Sequence, residues 1–330
     1  MDAPVIRDLV PIDRVWSRLE KVEKRLFEVT TSQNDFLTEI AQHLLGAGGK
    51  RYRPLLAQVA AELGPDDGDG SVEAGVAVEL VHVGSLYHDD VIDEAESRRR
   101  VVSVNANWDN TVAILGGDFL LARASEVAAP LGQEAVELLS QTYAALCEGQ
   151  VLELQLGDDL EHGAPHYYRV IELKTASLIR ASARLGAMAT GASAEAIEAA
   201  SKWGHEIGMV FQLTDDVLDL IATDEFLGKP AGSDIGEGTF TLPVLNALEG
   251  PSGGKLRDLL SPPRPYTGDT VEQVIDLVRA GGYIDEALEE TRERIRAADA
   301  AIANLPSSAI TGVFSQLGEY LLDRVETARR

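Results

Sequence analysis

The sequence predicts an all-α fold, and three features carry that prediction. Aromatic residues make up only 5% of the 330 residues, and few stretches alternate apolar with polar side chains between turn signals, so strands have little support. Apolar residues recur instead at helical spacing along most of the chain. Between Val72 and Ile92, for example, Val76, Leu80, Val83, Leu86 and Tyr87 form one broad stripe. Finally, glycine and proline clusters fall between the periodic stretches.

Taken in order, residues 1–30 read as an N-terminal helical region. The Gly46 to Gly49 run stops a following apolar helix, and GPDDGDG at 64–70 separates the next two. Helices are expected over 72–92, 110–129, 134–156, 167–189, 193–222 and 271–302, the last within a helical C-terminal region at 270–330. Breaks are expected at His162-Gly163-Ala164-Pro165, at Gly228 to Gly238, and over Gly250 to Gly268 with its four prolines. None is long or biased enough for an interdomain linker, and the sequence holds no fixed-period repeat. The expectation is one large domain, 1–330, of long helices.

Charge narrows the function. Lys plus Arg number 29 against 54 Asp plus Glu, a formal net charge of −25. That disfavours nucleic acid as a partner, because affinity for a phosphate backbone comes from cationic neutralisation. It also disfavours attachment to anionic lipid by basic patches alone. An acidic chain that handles phosphates needs metal cations or a local basic cluster. Cys147 is the one cysteine, which excludes an intrachain disulfide and a cysteine-based zinc site and leaves core packing as its expected role. The chain opens without a basic start and long apolar run, and nowhere do eighteen apolar residues follow one another. Neither a signal peptide nor a membrane span is expected, and the expected location is cytoplasmic.

The chemistry concentrates in two acidic clusters. DDVID at 89–93 lies in the first long helix, and DDVLD at 215–219 lies in the 193–222 helix. Residues four apart share a helix face, so Asp89 projects with Asp93 and Asp215 with Asp219, while Asp90 and Asp216 sit beside them. Stacked carboxylates raise one another's pKa, so two such sets on apolar helices are costly without cations. Hard carboxylate oxygens suit Mg²⁺ or Mn²⁺, and Mg²⁺ characteristically shares its shell with water and a substrate phosphate. Given 25 aspartates in the chain, one DDxxD arises by chance roughly 0.14 times; two on long helices are much rarer. Asp66, Asp67 and Asp69 look like a calcium loop but lack its closing glutamate, so a surface turn is expected there.

Basic groups accompany the acids. Gly48-Gly49-Lys50-Arg51-Tyr52-Arg53-Pro54 joins a helix end to a new helix. Glycine lets an anion approach the backbone, and Lys50 and Arg53 supply charge for it. The run is not a P-loop, since no Ser or Thr follows the lysine and no strand precedes it. His82 lies seven residues before Asp89, on the same helix face and roughly 10 Å away along the axis; alone it would read as a satisfied core histidine. Arg98-Arg99-Arg100 follows the first acidic cluster, where a diphosphate could bridge guanidiniums to bound metal.

With GGKRYRP, ELVHVGSLYHDDVIDEAESRR, NANWDNTVAILGGDFLLARA, EGQVLE, LKTASLI, FQLTDDVLDL and GKPAGSDIGEGTFTLP in that order, the chain resembles the trans-isoprenyl diphosphate synthases. The likeness to this polyprenyl synthetase family, and especially to its bacterial long-chain members, runs from about residue 35 to 250. It implies the isoprenoid synthase type I fold, with long, mostly antiparallel helices around a deep central cavity, in a homodimer. It implies that Asp89, Asp93 and Asp215 bind a Mg²⁺ cluster of about three ions, with Mn²⁺ as a substitute, and that Asp90, Asp216 and Asp219 support it. Gly49, Lys50, Arg53, His82 and Arg99 would hold isopentenyl diphosphate. Arg98, Lys174, Thr175, Gln212 and Lys229 would hold the allylic diphosphate, with Lys174, Thr175 and Gln212 in catalytic roles. Gln150 and Glu153 match a polar pair facing the same pocket. Read alone, Lys174 and Thr175 would be an ordinary helix pair.

Two positions depart from the family pattern. Glycine commonly follows the paired arginines, where this chain has Arg100. A lysine often precedes TLP by two residues, where this chain has Thr239, removing one cation from the allylic site. Near the C-terminus, Arg324, Arg329 and Arg330 could close over the site, but a solvated helix end is the expected reading.

The implied reaction is head-to-tail condensation. Cations stabilise the departing diphosphate, the allylic C–O bond ionises, the isopentenyl double bond attacks the carbocation, and a proton leaves to the diphosphate. Product length would be set near Gly84 and Ser85, with Val81 and Val78 further down the same helix. Relatives making short products carry bulky aromatics at that level, so small residues here imply an open tunnel and a product of C20 or longer. Release of so apolar a product implies transient membrane contact. Two other readings are weaker. A class I terpene cyclase would not need the second diphosphate site at Lys50, Arg53 and His82. A regulatory subunit of a heteromeric synthase would be expected to have lost an acidic cluster, and both are intact.

Overall fold

The computed structural model describes residues 3–66, 68–156, 159–223, 231–305 and 308–329. Nearly all of that chain is helical, as the apolar periodicity predicts; among the described residues the only strands form a two-residue hairpin, Ser97–Arg98 against Val101–Val102. The helices gather into two compact units that alternate along the sequence. The first takes Met1–Ala144, Leu178–Gly204 and Ile302–Phe314; the second takes Ala145–Ser177, His205–Ala301 and Ser315–Arg330. No single cut of the chain separates them.

The first unit is built around the Gly70–Ile92 helix. Its residues from Ser71 to Gly84 are buried on nearly every side except at Glu73 and His82, as expected of a helix surrounded by others. It packs on Asp13–Val29, Tyr52–Ala60 and, most extensively, Asn110–Ala128. The last contact is close because both helices lack a side chain where they meet. A Cβ on Gly84 would lie 3.1 Å from the Gly117 carbonyl oxygen, and one on Gly117 would lie 3.0 Å from that of Gly84. Helix starts are capped in the ordinary way: Asn34 accepts from the Leu37 N–H at 3.2 Å, and Asp109 from that of Val112 at 2.8 Å.

The second unit has its own core. Tyr167, Ile171 and Ala176 pack with Met209, Leu213 and Val217, and with Leu242, Leu245, Val274, Ile284 and Leu288. Here the expected helix over 167–189 begins earlier, with Gly163–Ile171, and carries a π-helical turn at Glu172–Ala176 before Ser177–Ala189. Gly163 (φ +64) starts this helix where a break was expected. The expected 271–302 helix is two helices, Gly268–Ala280 and Tyr283–Ile302, parted at Gly281-Gly282, where Gly282 adopts φ +82. The proline-rich 250–268 break also holds a short helix, Gly253–Leu260, confined between its prolines. In the 64–70 turn, Asp66 accepts from the Gly68 N–H at 2.8 Å; Asp67 lies outside the described residues. Cys147, expected in the core, is exposed.

The hairpin explains one departure from the family pattern. Its register, Ser97 with Val102 and Arg98 with Val101, leaves Arg99 and Arg100 as a two-residue turn. Both have positive φ, +53° and +65°, the signature of the type I′ turn that favours glycine. A side chain in that conformation costs roughly 1–2 kcal/mol. Arg100→Gly is therefore expected to raise the thermal midpoint by about 1–2 °C. A lower midpoint in differential scanning calorimetry would show that the Arg100 side chain itself stabilises the turn.

Candidate active site

The first acidic cluster closes the Gly70–Ile92 helix. Asp93 is its C-cap, with its N–H donating to the Asp89 carbonyl at 2.8 Å. Asp89 is half-buried and Asp93 exposed, whereas Asp90 is fully buried. Arg98 holds the Asp90 Oδ1 with two nitrogens at 2.7 Å each, and Oδ2 has no hydrogen-bond partner. Burial raises the Asp90 pKa, Arg98 pulls it back, and Asp93 adds repulsion. Asn105 clamps this helix end by donating to the carbonyls of Asp90 and Ala95, both at 3.0 Å.

The predicted cations gather in the same unit. Arg53 Nη1 lies 3.2 Å from His82 Nε2. A guanidinium can only donate, so Nε2 accepts and the ring proton sits on Nδ1. Arg53 Nε is buried with no partner. Burial, with repulsion from Arg99, lowers the Arg53 pKa to about 10. His82 lies well below its usual range through burial and then the fields of Arg53, Arg99, Arg51 and Arg98. Burial and mutual repulsion thus disfavour charge on Arg53 and Arg99, a condition that a bound diphosphate would relieve.

Two residues that the sequence reading left unassigned organise this cluster. Arg51, in a left-handed conformation at φ +45, opens the Tyr52–Ala60 helix. It bonds Glu23, the Leu45 carbonyl at 3.1 Å and Glu79 at 3.0 Å. Glu79, 1% exposed, also lies 3.5 Å from Arg99. Arg99 in turn donates to the Leu44 carbonyl at 3.1 Å and to that of Gly48. Burial and the Arg51 charge lower its pKa, against the pull of Glu79. A Cβ on Gly49 (φ +157) would lie 3.0 Å from the guanidinium ends of both Arg51 and Arg99, a tight contact. Lys50 beside it is exposed. The signal for Glu79 was an acid set in an apolar helical run.

The second acidic cluster lies on Ala194–Ile221 in the second unit. Asp216, 3% exposed, accepts from the Tyr167 hydroxyl and from Gln212 Nε2, the latter at 2.8 Å. Burial pushes its pKa up to about 8; Asp234 and Asp215 add repulsion, and the two hydrogen bonds oppose it. Asp219 accepts from Ser233 Oγ at 2.9 Å and from the Asp234 N–H at 3.2 Å. Asp215 is the most open of the three and pairs with Arg324 at 3.4 Å. Arg324 is therefore no solvated helix end, and Arg329 pairs with Asp285 at 2.7 Å; Arg330 lies outside the described residues.

Lys174 and Thr175 sit on the π-helical turn. Lys174 pairs with Glu153, and Thr175 donates to Gln212 Oε1 at 2.8 Å. Gln150 is buried with Oε1 unpartnered. Lys229 lies outside the described residues. Thr239 is exposed and donates its backbone N–H to the Asp234 carbonyl at 2.8 Å. At the expected chain-length wall, the lack of a side chain at Gly84 also lets the Asn110–Ala128 helix approach. Ser85, which donates to the His82 carbonyl at 2.9 Å, and buried Val81 are the other candidates at that level.

The donors suit a hard divalent ion. Asp89 and Asp93 are one turn apart, and Asp90 has a buried carboxylate oxygen without a partner. Among the described residues no group of three His, Cys, Asp or Glu side chains is placed to hold a metal ion.

Comparison with known proteins agrees with this chemistry. The sequence model of the polyprenyl synthetase family matches residues 34–278. The chain is 37% identical to the nonaprenyl diphosphate synthase of Mycobacterium tuberculosis over 96% of its own length and 95% of that protein. It is 38% identical to heptaprenyl diphosphate synthase component 2 of Geobacillus stearothermophilus, covering 92% and 94%. Its fold matches the crystal structure of a geranylgeranyl pyrophosphate synthase from Corynebacterium glutamicum complexed with calcium and isoprenyl diphosphate. That match has a TM-score of 0.85 and 39% identity, covering 95% and 96% of the two chains. Sequence and fold thus agree across nearly the whole chain, and the protein belongs to the polyprenyl synthetase family.

Proposed function

We propose that this protein is a trans-prenyltransferase that condenses isopentenyl diphosphate head-to-tail with an allylic diphosphate, giving a trans-polyprenyl diphosphate of C20 or longer. The observation that carries the reading is the buried Arg53 guanidinium, 3.2 Å from neutral His82 and in the field of Arg99, in a chain of net charge −25. The unpartnered Arg53 Nε and the exposed Lys50 are ready donors for the isopentenyl diphosphate. A cyclase, which takes one diphosphate, has no use for them.

Asp89, Asp93 and Asp215 are the proposed Mg²⁺ ligands, and Asp90, Asp216 and Asp219, each already tied by hydrogen bonds, support them. Bound Mg²⁺ would neutralise charge developing on the leaving diphosphate. Lys174, Thr175, Gln212 and Arg98 orient the allylic diphosphate, with Lys229 assigned there by the family pattern. When the allylic C–O bond breaks, its electrons leave with the diphosphate. The isopentenyl double bond then forms the new C–C bond, and the diphosphate takes the proton released. No side-chain base is required.

The family pattern also supports a homodimer and a cytoplasmic location. In the described residues no helix is long and apolar enough to cross a membrane. Apolar side chains that a partner copy could cover stand on Asn110–Ala128, where Ile114 and Leu115 are 44% and 59% exposed, and on Gln133–Leu156, where Val151 and Leu154 are 53% and 61% exposed. Leu115→Glu is expected to halve the mass measured by light scattering; an unchanged mass would place any dimer contact elsewhere. The growing product's apolarity supports transient membrane contact at release.

The activity is tested by incubating purified protein with Mg²⁺, labelled isopentenyl diphosphate and, separately, C5, C10, C15 and C20 allylic diphosphates, then sizing the products. A ladder reaching C20 or beyond is expected. Folded protein that incorporates no isopentenyl diphosphate with any primer would overturn the proposal.

A further inference from the structure

A buried hydrogen-bond relay links a residue outside the expected site to two within it. The Tyr167 hydroxyl donates to Asp216 Oδ2, Gln212 Nε2 donates to Asp216 Oδ1 at 2.8 Å, and Thr175 Oγ1 donates to Gln212 Oε1 at 2.8 Å. Tyr167 is 7% exposed and Asp216 3%. Each link fixes the next. The Gln212 amide sets its nitrogen against Asp216 Oδ1. The amide oxygen is thereby turned to Thr175 and commits the hydroxyl proton. The amide cannot flip without breaking two bonds.

The backbone is shaped to close this relay. On a regular α-helix, residues 167 and 175 are eight apart and lie about 80° from one another around the axis. The π-helical turn at Glu172–Ala176 takes in about one extra residue and removes most of that offset, so Tyr167 and Thr175 both reach the Ala194–Ile221 helix. The two helices meet at Gly208, where a Cβ would come within 2.4 Å of the Ala176 Cα. That glycine lies one turn before Gln212 and sets the spacing the relay needs.

We propose that Tyr167 is a positioning residue for the allylic diphosphate, acting through Asp216 and Gln212 on Thr175, with the π-helical turn as the element that aligns it. The inference rests on the reading of Thr175 and Gln212 as allylic-site residues.

Tyr167→Phe keeps the ring and removes only the donor. The KM of the allylic substrate, and the calorimetric dissociation constant of a farnesyl diphosphate analogue with a non-ionising sulfur bridge, are expected to rise about tenfold. The KM of isopentenyl diphosphate should stay within about twofold. Combining Tyr167→Phe with Thr175→Val should give an allylic defect smaller than the product of the two single defects, since both cut one relay. Unchanged allylic affinity, equal weakening of both substrates with a lowered thermal midpoint, or independent effects in the double variant would each overturn the proposal. Should Tyr167→Phe fail to fold, Gln212→Met removes the middle link, and normal allylic affinity in that variant overturns it equally. A parent protein that condenses nothing sinks the underlying reading; an active parent with an indifferent Tyr167→Phe sinks the relay alone.

Discussion

Asp89→Ala and Asp215→Ala are each expected to lower condensation by about 10³-fold or more while leaving the protein folded. The loss follows from the chemistry of the leaving group. Diphosphate departs with a full electron pair, and the carboxylates that would gather divalent cations around it have no replacement among neutral side chains. Stability should fall little, because both carboxylates are partly exposed and each lies beside other acids of its own cluster. Asp215 contributes to the repulsion that raises Asp216 to about 8, and its partner Arg324 forms a half-exposed pair of small worth. Asp89 shares a helix face with Asp93. The thermal midpoint without metal should therefore stay within about 2 °C of the parent, and the stabilisation that added Mg²⁺ gives the parent should shrink in both variants. Activity within tenfold of the parent in either variant would remove that carboxylate from the proposed metal site. A parallel collapse in folding would assign it a structural role instead.

Much of this arrangement was legible in the sequence because it is local. Helical periodicity and Gly/Pro punctuation located the Gly70–Ile92, Asn110–Ala128, Gln133–Leu156 and Ala194–Ile221 helices to within a few residues. The four-residue spacing inside each acidic cluster needs only helix geometry. The Gly281-Gly282 pair was also readable as a break, but the apolar pattern on both sides masked it. The π-helical turn has no comparable local signal, since it is fixed where Gly208 lets a second helix touch Ala176. The hairpin is too short for alternation to reveal. The anchors were missed for a related reason. Arg51 and Glu79 are 28 positions apart, and Tyr167 and Asp216 are 49 apart. A motif names the groups that face substrate, whereas the groups that hold them are chosen by packing between distant segments. At Gly84, where a small residue beside a motif suggests an open wall, the lack of a side chain also lets the Asn110–Ala128 helix approach.

Glu79→Gln is expected to lower stability by about 3 kcal/mol, because it withdraws the charge that compensates two buried guanidiniums. For a chain of this size that corresponds to a thermal midpoint about 4 °C lower. Arg51 retains Glu23 and the Leu45 carbonyl, so its position should largely survive. Among the described residues Arg99 is held otherwise by the carbonyls of Leu44 and Gly48. Freed from Glu79, two like charges face each other across the loop that carries Gly49 and Lys50. The consequence should be selective. The KM of isopentenyl diphosphate is expected to rise about tenfold, while that of the allylic substrate, whose proposed residues lie mainly in the other unit, changes little. Bound diphosphate supplies the missing negative charge, so saturating isopentenyl diphosphate should restore more of the midpoint in Glu79→Gln than it adds to the parent. Calorimetry with and without that ligand separates the outcomes. A midpoint equal to the parent's would show that Glu79 compensates nothing. A lowered midpoint with both substrates equally weakened would make it a general core residue rather than the anchor of this diphosphate site.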